Sequence, residues 1–162
     1  MTETTELDLD AKLSLLMEIP LLARIGRPNI THLASTSDIL HFDSGHTLFR
    51  QGDIGKEAYI IISGEAEVVS EGPDGDISVA TIGRHQFIGE IALLIDVPRT
   101  ATVIASEELT SLMVSKEMFY HIVVEYPAVG IEVMRELADR LLKTTTRLRD
   151  STDHIDTIHL SG

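Results

Sequence analysis

The chain has 162 residues, 43% hydrophobic and 24% charged, a balance that suits one globular domain with short extensions and excludes a disordered polymer. It contains no cysteine, which removes disulfides, thiolate metal sites and cysteine nucleophiles together. A formal net charge of −13 disfavours diffuse attraction to nucleic acid or anionic lipid, so any bound anion needs a local cationic pocket.

Residues 1–18 read as an acidic tail, MTETTELDLD, running into a short helix around Leu13, Leu15 and Leu16. An acidic start, and no run approaching the roughly 20 apolar residues of a membrane span, predict a cytoplasmic protein without a membrane partner. Pro20 and Pro28 then break the chain, with helical patterns over Leu21 to Ile25 and Asn29 to Ser35. From 38 to 115 the texture changes to short runs rich in Val, Ile and Thr, punctuated by glycine. Eight strands are expected there: Ile39 to Phe42, Thr47 to Arg50, Ala58 to Ser63, Glu65 to Ser70, Ser78 to Ile82, Gln86 to Gly89, Ala101 to Ala105 and Thr110 to Val114. Between two of them, Gly72-Pro73-Asp74-Gly75-Asp76 has the composition of a hairpin turn and is too short for a calcium loop.

Helical periodicity returns over 116–150, first in Lys116 to Glu125 and, past Pro127, in Ile131 to Arg149. Ile131, Met134, Ala138, Leu141, Thr145 and Leu148 recur at steps of three and four, the seam spacing of a coiled coil. That stripe serves either a homodimer or packing of the helix on its own domain. Glu136 with Arg140, and Asp139 with Lys143, are expected as i,i+4 pairs on the outer faces. Residues 151–162 read as a polar tail, leaving 19–150 as the domain proper.

The segment FIGEIALLIDVPRTATVIA, Phe87 to Ala105, carries the chemistry. A strand ends at Gly89, where the main chain can approach a ligand, and Glu90 to Leu94 has the propensity for one helical turn. Free amides at the start of such a turn attract an anion, and Arg99 aimed at the same point adds charge-assisted bonds to phosphate oxygens. A carboxylate beside a phosphate is repulsive unless it serves another group, and a sugar hydroxyl can donate to it. Glu90 and Arg99 therefore suggest a sugar phosphate, against the alternative of a purely structural ion pair between them.

These residues resemble the cyclic nucleotide-binding domain family. Gly89-Glu90-Ile91-Ala92-Leu93-Leu94 and Pro98-Arg99-Thr100-Ala101-Thr102-Val103 are similar to its phosphate-binding cassette, and Gly45, Gly52, Asp53, Gly55 and Gly64 to its structural glycines and turn acid. The resemblance spans Leu16 to Arg149. It implies an α+β fold, an eight-stranded antiparallel β-roll (a jelly-roll-like double-stranded β-helix) with N-terminal helices and a long C-terminal helix. It also implies that Glu90 accepts from the ribose 2′-hydroxyl and that Arg99 pairs the cyclic phosphate. Amides near Ile91, Ala92 and Thr100 then complete a cradle flanked by Ile88 and Ala101. Thr144 and Thr145, in Arg140-Leu141-Leu142-Lys143-Thr144-Thr145, are similar to helix residues that meet adenine. Thr100 fits both cGMP-preferring and cAMP sites, and the threonine pair favours cAMP over cGMP.

No cofactor beyond that ligand is implied, and no enzyme. The seven histidines fall in no recognised metal-ligand spacing, and no Gly-x-Ser-x-Gly elbow occurs. The dozen residues after the long helix are too few for a helix-turn-helix domain, so direct nucleic-acid binding is not expected. The expected output is a signal passed through the C-terminal helix to a dimer mate or an unidentified effector protein. The alternative is a β-roll module that dimerises without any nucleotide.

Overall fold

The computed structural model describes residues 2–4 and 7–160, with side chains for 7–146 and 149. Three helices precede residue 38, where the eight expected strands begin. α1 (Leu9–Met17) begins where Asp8 accepts a hydrogen bond from the Ala11 amide at 2.7 Å. α2 (Pro20–Ala23) and α3 (Arg27–Thr36) each carry proline in the first turn, where its missing N–H costs nothing. Leu16, Ile19, Leu22, Ile30 and Leu33 bury one side of all three, each at most 2% exposed.

The eight expected strands all form: β2 (Asp38–Phe42), β3 (Thr47–Phe49), β4 (Glu57–Ser63), β5 (Ala66–Gly72), β6 (Gly75–Ile82), β7 (Phe87–Ile88), β8 (Thr102–Ala105) and β9 (Leu109–Ser115). A further strand, β1 (Thr2–Thr4), lies in the segment expected to be a tail and pairs antiparallel with β2, placing Glu3 opposite His41. The cause is tertiary: the outer edge of β2 offers backbone groups that an extended, threonine-containing segment can pair. The strands form two sheets, β1-β2-β9-β4-β7 and β3-β8-β5-β6, antiparallel throughout. Gly72 faces Gly75 across the expected hairpin between β5 and β6.

Alternation along β4 divides the core in two. Ile60 and Ile62 join the helices, while Tyr59 and Ile61 point into the roll against Phe42, Val103 and Leu109. A strand buried on both faces reads as a continuous apolar run, which AYIII is. After β4 the chain turns at Gly64 (φ +89), where an added Cβ would fall 2.2 Å from the Glu108 carbonyl oxygen. Only glycine lets these two connections touch.

α5 (Lys116–Glu125) is capped by Ser115, whose hydroxyl accepts from the Met118 amide at 3.2 Å. α6 (Pro127–Leu160) continues past 150, so residues 151–160 are helical where a polar tail was expected. Val129 and Val133 of α6 are buried, and Leu137 packs on the same cluster. The stripe of Ile131, Met134, Ala138, Leu141 and Thr145 is instead exposed, with Met134 at 61% and Leu141 at 68%; the side chain of Leu148 lies outside the described residues. Intramolecular packing therefore uses a different face from the seam. One expectation is corrected: Asp139–Lys143 is an exposed pair, but Glu136–Arg140 turns toward the roll, because both residues share the helix side of Val133 and Leu137. Among the described residues no helix is long and apolar enough to cross a membrane.

Candidate functional site

Ile88, Gly89, Glu90, Ile91, Ala92, Arg99, Thr100 and Ala101 line one cavity, together with Phe49, Val68, Pro98 and Val103. Two stretches of the chain converge there. β7 ends at Gly89 and leads through Glu90 into α4 (Ile91–Leu94), the expected single helical turn. The returning loop is held by the β3–β4 turn, since the Arg99 amide donates to the Asp53 carbonyl and the Gly52 amide to the Arg99 carbonyl, both at 2.8 Å. Asp53 Oδ2 closes that turn by accepting from the Arg50 amide at 3.2 Å. The turn glycine and acid thus act on the site through the backbone of Arg99.

The Arg99 side chain is only 4% exposed. Its Nη1 donates to the Gly89 carbonyl at 3.1 Å and its Nη2 to the Glu57 carbonyl at 2.8 Å, with Glu57 Oε2 a further 3.7 Å ion-pair contact. The guanidinium carbon lies 4.1 Å from the centroid of the Phe49 ring. Nε has no partner among the described residues. Gly89 (φ +87) is required twice over, because a Cβ there would sit 2.8 Å from Arg99 Nη1 as well as straining the backbone. Burial pushes the Tyr59 phenol above its ordinary range, with Glu57 adding to the effect and Arg99 opposing it.

Glu90 and Arg99 do not pair with each other. Glu90, 8% exposed, accepts at Oε1 from Arg140 Nη1 of α6 at 3.0 Å, while its Oε2 has no partner among the described residues. Arg140 also donates to Glu136 Oε1 at 2.9 Å and to the Phe87 carbonyl, and its guanidinium lies 4.7 Å from the Phe87 ring centroid. Burial raises the Glu136 carboxyl above the usual carboxylate range, against the downward pull of Arg140. Sequence reasoning missed Arg140, Glu57 and Phe49. An arginine four residues after an acid reads as a surface pair, and neither a phenylalanine in β3 nor the acid that opens β4 announces an arginine partner.

Thr144 and Thr145 are exposed and stand outside the cavity lining. The Thr144 hydroxyl donates to the Arg140 carbonyl at 3.0 Å, whereas Thr145 lies on the seam side. His41, Asp43 and Glu108 bring potential ligand atoms within 4.8 Å of one another, an arrangement invisible in histidine spacing. His41 Nε2 is 3.7 Å from Asp43 Oδ1, and its Nδ1 is 3.4 Å from the Thr110 hydroxyl across β2 and β9. This reads as a cross-strand polar cluster at the sheet surface.

Residues 39–126 match the cyclic nucleotide-binding domain family, and the chain belongs to it. It is 31% identical over 110 residues to the CRP-like cAMP-activated global transcriptional regulator of Mycobacterium tuberculosis, covering 67% of this chain and 49% of that protein. It is 36% identical over 104 residues to the cAMP-dependent protein kinase regulatory subunit of Mucor circinelloides f. lusitanicus, covering 64% of this chain and 24% of the relative. The chain therefore spans about half the length of the bacterial relative and a quarter of the fungal one. Among solved structures, the Thermus thermophilus catabolite activator protein superposes with a TM-score of 0.70 at 25% identity, covering 80% of this chain and 61% of that one. A cyclic nucleotide-binding domain from Methylobacillus flagellatus gives 0.63 at 26% identity, covering 91% and 82%. The Mycobacterium and Mucor relatives bear regulatory names.

Proposed function

We propose that this domain is a cyclic purine nucleotide receptor, with cAMP favoured over cGMP, that reports occupancy through α6. The observation that carries the reading is a pair of buried, unpartnered atoms on the cassette: the Nε of Arg99, a donor, and the Oε2 of Glu90, an acceptor. Leaving buried polar groups unmet costs about 1–3 kcal/mol each, and more where they are charged. A cyclic phosphate accepts from the first and a ribose hydroxyl donates to the second, so one ligand meets both. The amides at the start of α4 and near Thr100 supply the remaining donors.

Arg140 supplies the route outward. Its bond to Glu90 ties α6 to the sugar end of the cavity. A hydroxyl bound by Glu90 changes that tie and shifts the balance between two positions of the helix. In this reading Thr144 and Thr145 meet the base, Thr145 from the seam side and hence in reach of a second copy. The exposed seam of Ile131, Met134, Ala138 and Leu141 supports a homodimer over packing of that stripe on the chain's own roll. The downstream partner is an effector protein whose chemistry the cavity does not specify.

Thermal melting tests the reading first. Cyclic nucleotide at 100 times its dissociation constant adds about 2.7 kcal/mol to the folded state, and no shift with cAMP or cGMP favours a scaffold that dimerises without ligand. Glu90→Gln weakens cAMP binding by about tenfold in calorimetry, because the neutral amide is a poorer acceptor for the sugar and releases Arg140. A variant that binds as tightly as wild type removes the carboxylate from sugar recognition. For the seam, Met134→Glu with Leu141→Glu gives a monomer in light scattering at concentrations where wild type is dimeric, since it places like charges in the interface. Equal masses for the two proteins rule the seam out.

A further inference from the structure

We propose that Phe49 is a positioning residue for the anion site, a flat platform that fixes the plane of the Arg99 guanidinium; this rests on the cavity being the nucleotide site. Two carbonyls, of Gly89 and Glu57, fix the two terminal nitrogens of Arg99, but two acceptors leave the group able to rock about the line joining them. A ring face 4.1 Å from the central carbon stops that motion. The Nε–H is then held in one orientation, and directed hydrogen bonds to phosphate need that fork to be preset.

The ring is itself held in place. β3 is irregular in register between Thr47 and Phe49, the local distortion that re-aims a side chain, and Phe49 lies opposite Val103 of β8. Its second contact is Tyr59, stacked at 6.0 Å and 23°. Tyr59 in turn meets Phe42 edge-on at 6.3 Å and 80°. Phe42 and Tyr59 are 2% and 7% exposed, so the row is anchored in the roll interior and ends at the arginine. Stacking against Tyr59 and the guanidinium engages the ring on protein groups, which assigns Phe49 to holding the arginine and not to stacking on a base. Gly55 leaves the room this requires, because a Cβ there would fall within 2.7 Å of Nη2, Nε and the central carbon of Arg99.

The test is a double-mutant cycle on affinity for cAMP, with a second readout that needs no ligand. Phe49→Leu keeps an apolar residue in β3 but removes the ring face, and weakens cAMP binding by about 3- to 30-fold; Phe49→Tyr keeps the face and binds within about twofold of wild type. Combined with Arg99→Lys, which has no planar group to stack, Phe49→Leu causes no further loss. In the ligand-free protein, the Arg99 Nε–H resonance, assigned by its disappearance in Arg99→Lys, shifts when the ring is removed. Should Phe49→Leu fold poorly, Phe49→Met serves in every arm. Wild-type affinity in the leucine variant, or the same factor lost in the lysine background, overturns the proposal. A wild-type protein that binds neither cAMP nor cGMP overturns the nucleotide reading and the ligand role of Phe49 together, while the resonance shift still reports whether the ring holds the arginine.

Discussion

Arg99→Ala lowers affinity for cyclic nucleotide by about 30- to several-thousand-fold, a loss of roughly 2–5 kcal/mol by analogy with truncating one member of a buried charge pair. The surroundings make the effect large. The molecule carries a net charge of −13, and once the guanidinium is gone the nearest ionisable groups at the cassette include the carboxylates of Glu57 and Glu90. Both repel a phosphate. Calorimetric titration of wild type and variant with cAMP and cGMP reads the loss, and equal affinities remove the arginine from recognition. The Gly89 and Glu57 carbonyls also lose a donor, so a melting curve accompanies each titration and the comparison is made where both proteins are folded. Arg99→Lys falls between the two, since it keeps the charge and loses the fork.

Gly64→Ala destabilises the fold by roughly 3 kcal/mol or more, the combined scale of a strained left-handed backbone and an overpacked contact. The added carbon would lie 2.2 Å from the Glu108 carbonyl oxygen and 2.8 Å from the Leu109 Cα, both backbone, so relief requires moving the entry to β9. Gly45→Ala is the matched control, because its φ of +87 is nearly the same as the +89 of Gly64 while nothing lies within 4 Å of the added carbon. Strain alone costs about 1–3 kcal/mol there. Urea denaturation of both variants separates the contact from the strain, and equal midpoints show that the close approach of the two connections is not felt.

Much of this architecture is legible in the sequence. β-Branched runs between glycines marked all eight strands of the roll, because alternation and turn chemistry are local properties of a few residues. The cavity lining is legible for the same reason: Gly89, Glu90 and Arg99 fall within one short stretch, and the structure brings Ile88 to Ala92 and Pro98 to Ala101 onto one cavity, while Leu93, Leu94 and Thr102 are not among its lining residues. β1 was not legible, since a polar threonine-rich segment becomes a strand only when an edge is present to receive it. The helical continuation of α6 past 150 was hidden by a composition that reads as a tail.

By itself, then, the sequence determined the family, the order of the eight roll strands with the helices that flank them, and Glu90 and Arg99 as candidate residues. Tertiary structure decided who holds those residues. Arg140 meets Glu90 across 50 positions of chain, and Arg99 meets the Glu57 carbonyl across 42. Such pairings come from the way sheets and helices close on one another, and no local periodicity encodes them. The same closure turned Val129 and Val133 inward and left Met134 and Leu141 facing out, a choice that heptad spacing alone left open.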